Sequence, residues 1–138
     1  MLRRNEKAEL LKRVPLFADC SRGELEQIAQ LADEIDLAEG KELTRLGESG
    51  REFFVLLEGE ADVTQDGRSI NTLGAGDFFG EIALVEDTPR TATVTATTPV
   101  RVLVITDRAF RKLLGEQPEL QRKVLVALAE RVKPALGS

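Results

Sequence analysis

After Ala32, and until about residue 106, no apolar pattern runs far before a glycine, a proline or an Asp-Gly pair interrupts it. Regular turns between short β-type runs are what an all-β sandwich or barrel needs, so this punctuation limits the fold more than any other feature. Leu37 leads to Glu39-Gly40, Lys41 to Leu46 leads to Gly47, and Phe53 to Leu57 leads to Gly59. Ala61 and Val63 alternate with polar neighbours up to Asp66-Gly67, a pair that accepts positive φ and so predicts a two-residue hairpin turn. Ile70 and Leu73 lie on the return strand, which stops at Gly74-Ala75-Gly76-Asp77. Pro99 divides a last pair of strands, Thr91 to Thr97 and Val100 to Ile105.

Helical periods flank this region. Ala8, Leu10, Leu11 and Val14 recur at helical spacing until Pro15 stops them. Ser21 and Glu24 have the spacing of a capping box, and Leu25, Ile28, Ala29, Leu31 and Ala32 continue along one face. Phe17, between the two helices, reads as a core residue. Beyond the strands, Asp107 can cap a helix containing Phe110, Leu113 and Leu114 that Gly115 ends. Pro118 suits the first turn of a final helix, in which Leu120, Val124, Leu128 and Val132 repeat every four residues and which Pro134 is expected to end. The expected organisation is one domain over residues 1–138, with helices over 1–35, strands over 36–106 and helices over 107–136.

Composition excludes several chemistries. The chain has no histidine, which removes His-based metal sites, general bases and triads, and its lone Cys20 allows no internal disulfide. With a net charge of −5 and no dense Lys/Arg run, neutralising a polyanion is not its work. The basic stretch around Arg3, Arg4 and Lys7 is interleaved with Glu6 and Glu9 and reads as a solvated helix face. No apolar run has the length of a membrane span or of a signal peptide core, so a cytoplasmic protein is expected.

One stretch inside the β region does not read as strand: Phe78-Phe79-Gly80-Glu81-Ile82-Ala83-Leu84-Val85, followed by Glu86-Asp87-Thr88-Pro89-Arg90-Thr91-Ala92. Gly80 permits close backbone approach, and Glu81 to Val85 suffices for about one helical turn, whose free N–H groups suit a small anion. Pro89 stiffens the backbone before Arg90, which is expected to open a strand and to present a planar fork matched to phosphate. Thr91 adds a hydroxyl donor. Ionised Glu81 only accepts, so it would repel phosphate and take a sugar hydroxyl nearby. On spacing alone, Glu81 and Arg90 could equally form a structural ion pair that closes a surface loop.

Residues 79 to 94, FGEIALVEDTPRTATV, resemble the phosphate-binding cassette of the cyclic-nucleotide-binding domain family, which includes cAMP receptor proteins and protein kinase A regulatory subunits. Glu58-Gly59-Glu60 and Gly76-Asp77-Phe78 also match, and the likeness extends over nearly the whole chain. The resemblance implies a mainly β fold: a jelly-roll-like eight-stranded barrel, or double-stranded β-helix, with a short cassette helix and helices before and after. It implies a ligand, cAMP or cGMP, with no metal or other cofactor. Arg90 and Thr91 would hold the cyclic phosphate with backbone N–H groups of Ala83, Leu84 and Ala92, while Glu81 and Gly80 would take the ribose. Val63, Ile70 and Ile82 would wall the sugar and base. Leu128 and Val132 read as core or dimer-seam residues, or as the cap over the base that this helix supplies in the family.

The implied activity is sensing without catalysis, because a phosphodiesterase would need metal ligands or a poised base that the segment lacks. The family's transcription factors carry a helix-turn-helix after the last helix. This chain stops at Ser138, so no DNA-binding segment is expected, and its final helix would contact an effector or a second copy. A cGMP-selective module and a degenerate scaffold that binds no nucleotide are the alternatives within the fold. An enzyme of the similar cupin barrel would need a histidine cluster.

Overall fold

Eight strands form two antiparallel four-stranded sheets, in the orders β1-β8-β3-β6 and β2-β7-β4-β5. The strands are β1 Asp33–Leu37, β2 Glu42–Thr44, β3 Glu52–Glu58, β4 Ala61–Gln65, β5 Arg68–Leu73, β6 Phe78–Phe79, β7 Thr93–Ala96 and β8 Val100–Thr106. This is the strand order of a jelly roll. The computed structural model describes residues 2–137, and the side chains of residues 2–129. It divides the chain into two compact units, Ala32–Arg108 and Met1–Leu31 with Ala109–Ser138.

In the strand unit, alternate residues from both sheets meet in one core. Phe54, Leu56, Val100, Val102 and Val104 come from the first sheet, and Ala61, Leu73, Val94 and Ala96 from the second. Phe54 also stacks on Phe79 of β6, with ring centroids 4.9 Å apart. Asp66 and Gly67 have φ of 51° and 79°, the two positive values that a type I′ turn demands, so the β4–β5 hairpin closes as its sequence predicts.

In the helical unit, α1 (Arg4–Lys12) is followed by a 3₁₀ turn at Pro15–Phe17 and by α2 (Arg22–Ala29). The capping box forms: Glu24 N–H donates to Ser21 Oγ at 3.2 Å, and Ser21 N–H donates to Glu24 Oε1 at 2.8 Å. That carboxylate oxygen also accepts from Lys123 Nζ at 2.6 Å, on a helix α4 that spans Pro118–Gly137. Phe17 packs against Phe110 of α3 (Asp107–Glu116), with centroids 5.6 Å apart. Leu120 and Val124 of α4 are buried.

Several boundaries differ from the sequence expectation. β1 begins at Asp33, inside the span assigned to helix, because on this edge strand Ile35 is exposed and Glu34 half-buried, so no apolar alternation marks the run. Phe78 and Phe79 are a two-residue strand paired with Phe54 and Val55, too short for a periodic signal. The sheets are two separate layers, not a closed ring. Pro134 does not end α4, which continues to Gly137.

Candidate functional site

The chain leaves β6 at Phe79 and enters β7 at Thr93, and the connection between them builds the site. Gly80 is left-handed, with φ 83° and ψ 16°, and turns the chain into a short 3₁₀ helix over Glu81–Leu84. A side chain at this position would be strained by the backbone and obstructed, since a Cβ would lie 2.6 Å from Arg90 Nη1 and 2.9 Å from the Glu52 carbonyl oxygen. Ala83 N–H donates to Gly80 O at 3.1 Å, and the N–H groups of Val85 and Glu86 both donate to Ile82 O. Buried Ala83 and Leu84 anchor the turn, which packs on β3. Glu81, its first residue, and Ile82 are half-buried.

Arg90 does not open a strand. β7 starts three residues later, and Arg90 is held instead by a bridge between Ser49 and Pro89. Its N–H donates to Glu48 O at 2.7 Å, its carbonyl accepts from Gly47 N–H at 2.9 Å, and Gly50 N–H donates to Thr88 O at 3.2 Å. A proline at 89 has no N–H to carry a regular ladder here, so the pairing is confined to its neighbours. The Arg90 backbone is therefore held by hydrogen bonds to the segment 47–50 and not by a strand of its own.

The half-buried Arg90 side chain lies across Gly50, whose missing Cβ would approach Nε at 3.0 Å and Cδ and Cζ at 3.1 Å. Nη2 donates to the Glu52 carbonyl at 2.7 Å. Burial lowers the proton affinity of the guanidinium and the Glu52 carboxylate opposes that, but an arginine stays charged in either case. Among the described residues, no carboxylate lies within 4.0 Å of it, so the Glu81–Arg90 ion pair does not form. A partly desolvated cation with five N–H donors and a backbone carbonyl for its protein acceptor has donors to offer an anion. Arg45 contrasts with it. That residue lines an open polar recess of ≈ 610 Å³ with Lys41 and Thr95, and is already paired with Glu42 at 2.5 Å and Glu48 at 3.6 Å.

Thr91 follows with an exposed side chain, and its carbonyl accepts from Gln65 Nε2 at 2.8 Å. The Ala92 carbonyl accepts from Thr44 Oγ1 at 3.1 Å, and Leu46 N–H donates to Thr93 Oγ1 at 2.9 Å. Gly80, Glu81, Ile82, Ala83, Leu84, Arg90, Thr91 and Ala92 thus share one connection, which packs on β3 through the turn and is tied to the segment 47–50 at Arg90. Val63 is half-buried, packed against the core and opposite Val94. Ile70 is 54% exposed on the edge strand β5 and does not join Val63 on the inner face. Leu128 is half-buried on α4, and the side chain of Val132 lies outside the described residues.

Gly50, Glu52, Thr44 and Gln65 were not legible as site residues. The glycine spacing of Gly47-Glu48-Ser49-Gly50 signals a turn, but nothing local links it to a residue forty positions later. A backbone carbonyl acceptor, as at Glu52, leaves no mark on side-chain identity.

Two jelly-roll sheets whose β6–β7 connection carries a half-buried arginine define the fold and frame of a ligand-binding module. Residues 34–117 match the model of the cyclic nucleotide-binding domain, and this chain belongs to that family. A cAMP-dependent protein kinase regulatory subunit of Yarrowia lipolytica is 39% identical over 107 residues, which are 76% of this chain and 28% of the relative, so the chain spans little more than a quarter of that protein. The N-terminal domain of a transcriptional regulator from Streptomyces coelicolor superposes with a TM-score of 0.78 at 32% identity, covering 93% of each chain. Cyclic-AMP-bound PfPKA-R superposes with a TM-score of 0.68 at 30% identity, covering 97% of this chain and 47% of the other.

Proposed function

We propose that this chain binds cAMP through the β6–β7 connection and acts as a regulatory module without catalysis. The observation that carries the proposal is Arg90: half-buried, fixed by the Glu52 carbonyl and Gly50, and unpaired with any carboxylate among the described residues. Arg90 would grip the cyclic phosphate, with the Thr91 hydroxyl and backbone N–H groups of Leu84 and Ala92 beside it. Ala83 N–H donates to Gly80 O at 3.1 Å and would share its proton between that carbonyl and the phosphate. Glu81, with Gly80, would take the ribose hydroxyl, and Val63 and Ile82 would supply apolar walls. Ile70 would reach the base only from the rim of the sheet.

The family relationship and the cAMP-bound state of a structural relative support the choice of ligand. The exposed Thr91 hydroxyl next to Arg90 favours a second reading, selectivity for cGMP through contact with the guanine amino group. Binding would act by shifting populations, the ligand favouring one arrangement of the cassette and the final helix. Among the described residues no helix is long and apolar enough to cross a membrane. We place the protein in the cytoplasm, where a single free Cys20 stays reduced.

The test is a thermal-shift measurement on protein unfolded, freed of nucleotide and refolded, with cAMP, cGMP and AMP compared. A ligand at about a hundred times its dissociation constant adds about 2.7 kcal/mol, on the order of ten degrees for a domain of this size. The proposal expects that shift with cAMP and not with AMP. A larger shift with cGMP selects the second reading, and no shift with either cyclic nucleotide refutes both.

A further inference from the structure

We propose that Gln65 is a positioning residue of the ligand site, acting through Thr91. The inference rests on the reading that Arg90 and Thr91 hold the cyclic phosphate. The backbone ladder between β4 and β7 stops at the pair Thr64 and Thr93, and the bridge that holds Arg90 stops at Arg90 itself. Thr91 and Ala92 fall in the gap between these two fixed points. Their carbonyls are held by side chains: Thr91 O by Gln65 Nε2 at 2.8 Å, and Ala92 O by Thr44 Oγ1 at 3.1 Å.

Gln65 is suited to this task by its own placement. It is the last residue of β4, directly before the Asp66-Gly67 turn, whose two positive φ angles leave the strand end little freedom. Its amide continues the sheet by one rung where the backbone can no longer do so. Holding the Thr91 carbonyl fixes the peptide plane that follows Thr91 and limits the rotation that carries its exposed hydroxyl toward or away from Arg90. Thr44 is buried, so changing it would disturb the core. Gln65 is exposed, so changing it isolates the positioning effect.

The experiment titrates cAMP, and in parallel cGMP, into nucleotide-free refolded protein carrying Gln65→Leu or Gln65→Lys, each in the unmodified chain and with Thr91→Ala. Gln65→Leu keeps the bulk and loses the donor, and should weaken binding about three- to tenfold while the melting temperature of the ligand-free protein stays put. Gln65→Lys restores a donor and should recover most of the affinity. With Thr91→Ala in place, the hydroxyl that Gln65 aims is gone, and Gln65→Leu should change affinity by less than about twofold. Equal affinity of Gln65→Leu and the unmodified protein overturns the inference, as does the same fold-loss in both backgrounds. Failure of the unmodified protein to bind either nucleotide overturns the functional proposal and this inference together, which separates the two kinds of failure.

Discussion

Gly80→Ala probes the packing that fixes Arg90. The substitution meets two obstacles: the backbone is left-handed at φ 83°, and the new Cβ would lie 2.6 Å from Arg90 Nη1 and 2.9 Å from Glu52 O. An L-residue in this conformation costs roughly 1–2 kcal/mol, and restricting the unfolded chain returns about 0.4–1 kcal/mol of it. The carbonyl belongs to β3 and cannot yield, whereas the guanidinium is the end of a flexible side chain, so Arg90 is what moves. If Arg90 holds the phosphate as proposed, displacing it would remove a charge-assisted contact of about 1.5–3 kcal/mol, or about 10- to 150-fold in affinity. The assay is paired: melting temperature of the ligand-free protein, and titration calorimetry with cAMP. Gly40→Ala is the control, because Gly40 has φ 90° with nothing within 4 Å of its Cβ position. It should lose a few degrees of melting temperature and no affinity. If Gly80→Ala binds cAMP as well as the unmodified protein, or Gly40→Ala loses affinity to the same extent, the reasoning about Arg90 is wrong.

Other perturbations test separate parts of the account. Gly50→Ala adds a Cβ 3.0 Å from Arg90 Nε and 3.1 Å from Cδ and Cζ without a left-handed backbone, so it should cost affinity about three- to thirtyfold with a smaller stability change than Gly80→Ala, by calorimetry and thermal melting. Glu81→Ala should weaken cAMP by about 10- to 150-fold, and should weaken 2′-deoxy-cAMP far less. The ion pair of Glu24 with Lys123 predicts a pH dependence. Burial pushes the Glu24 carboxyl up, but its bonds from Lys123 and Ser21 outweigh that and hold it below its ordinary 4.5. The stability it contributes is therefore complete above 4.5 and lost as the pH falls through the lower folded value, and melting curves of Glu24→Gln should show a shallower acid decline. Burial, with the Glu24 charge, raises the Cys20 thiol to about 11, so at pH 8 alkylation of the native protein should run at least about tenfold slower than after unfolding.

What the sequence disclosed was whatever local chemistry dictates. Ser21 and Glu24 form the capping box their spacing announces, and Asp66-Gly67 forms the hairpin turn because few other pairs accept two positive φ angles. Gly80 to Ala92 stood out as an interruption because a one-turn helix and a Pro-Arg pair break a strand pattern. The edge strand β1 was hidden, since its Asp33, Glu34 and Asp36 look like the solvent face of a helix until the pairing with β8 is known. The supports of Arg90 were hidden for a related reason. Gly50 and the Glu52 carbonyl act through proximity that only the β3 register creates, and the amide of Gln65 reaches Thr91 across a sheet. Side-chain identity records which groups are available, and long-range pairing decides which of them meet.

The central claim is that Arg90 serves a ligand rather than the fold. Its side chain donates to one carbonyl and pairs with no carboxylate among the described residues, so removing it should leave the ligand-free protein close to its original stability. Titration of cAMP into nucleotide-free refolded protein, with and without Arg90→Ala, tests this directly. The account predicts a loss of about 2–5 kcal/mol of binding free energy, with the ligand-free melting temperature changed by no more than a few degrees. An Arg90→Ala protein that binds cAMP undiminished, or that unfolds before affinity can be measured, would contradict it.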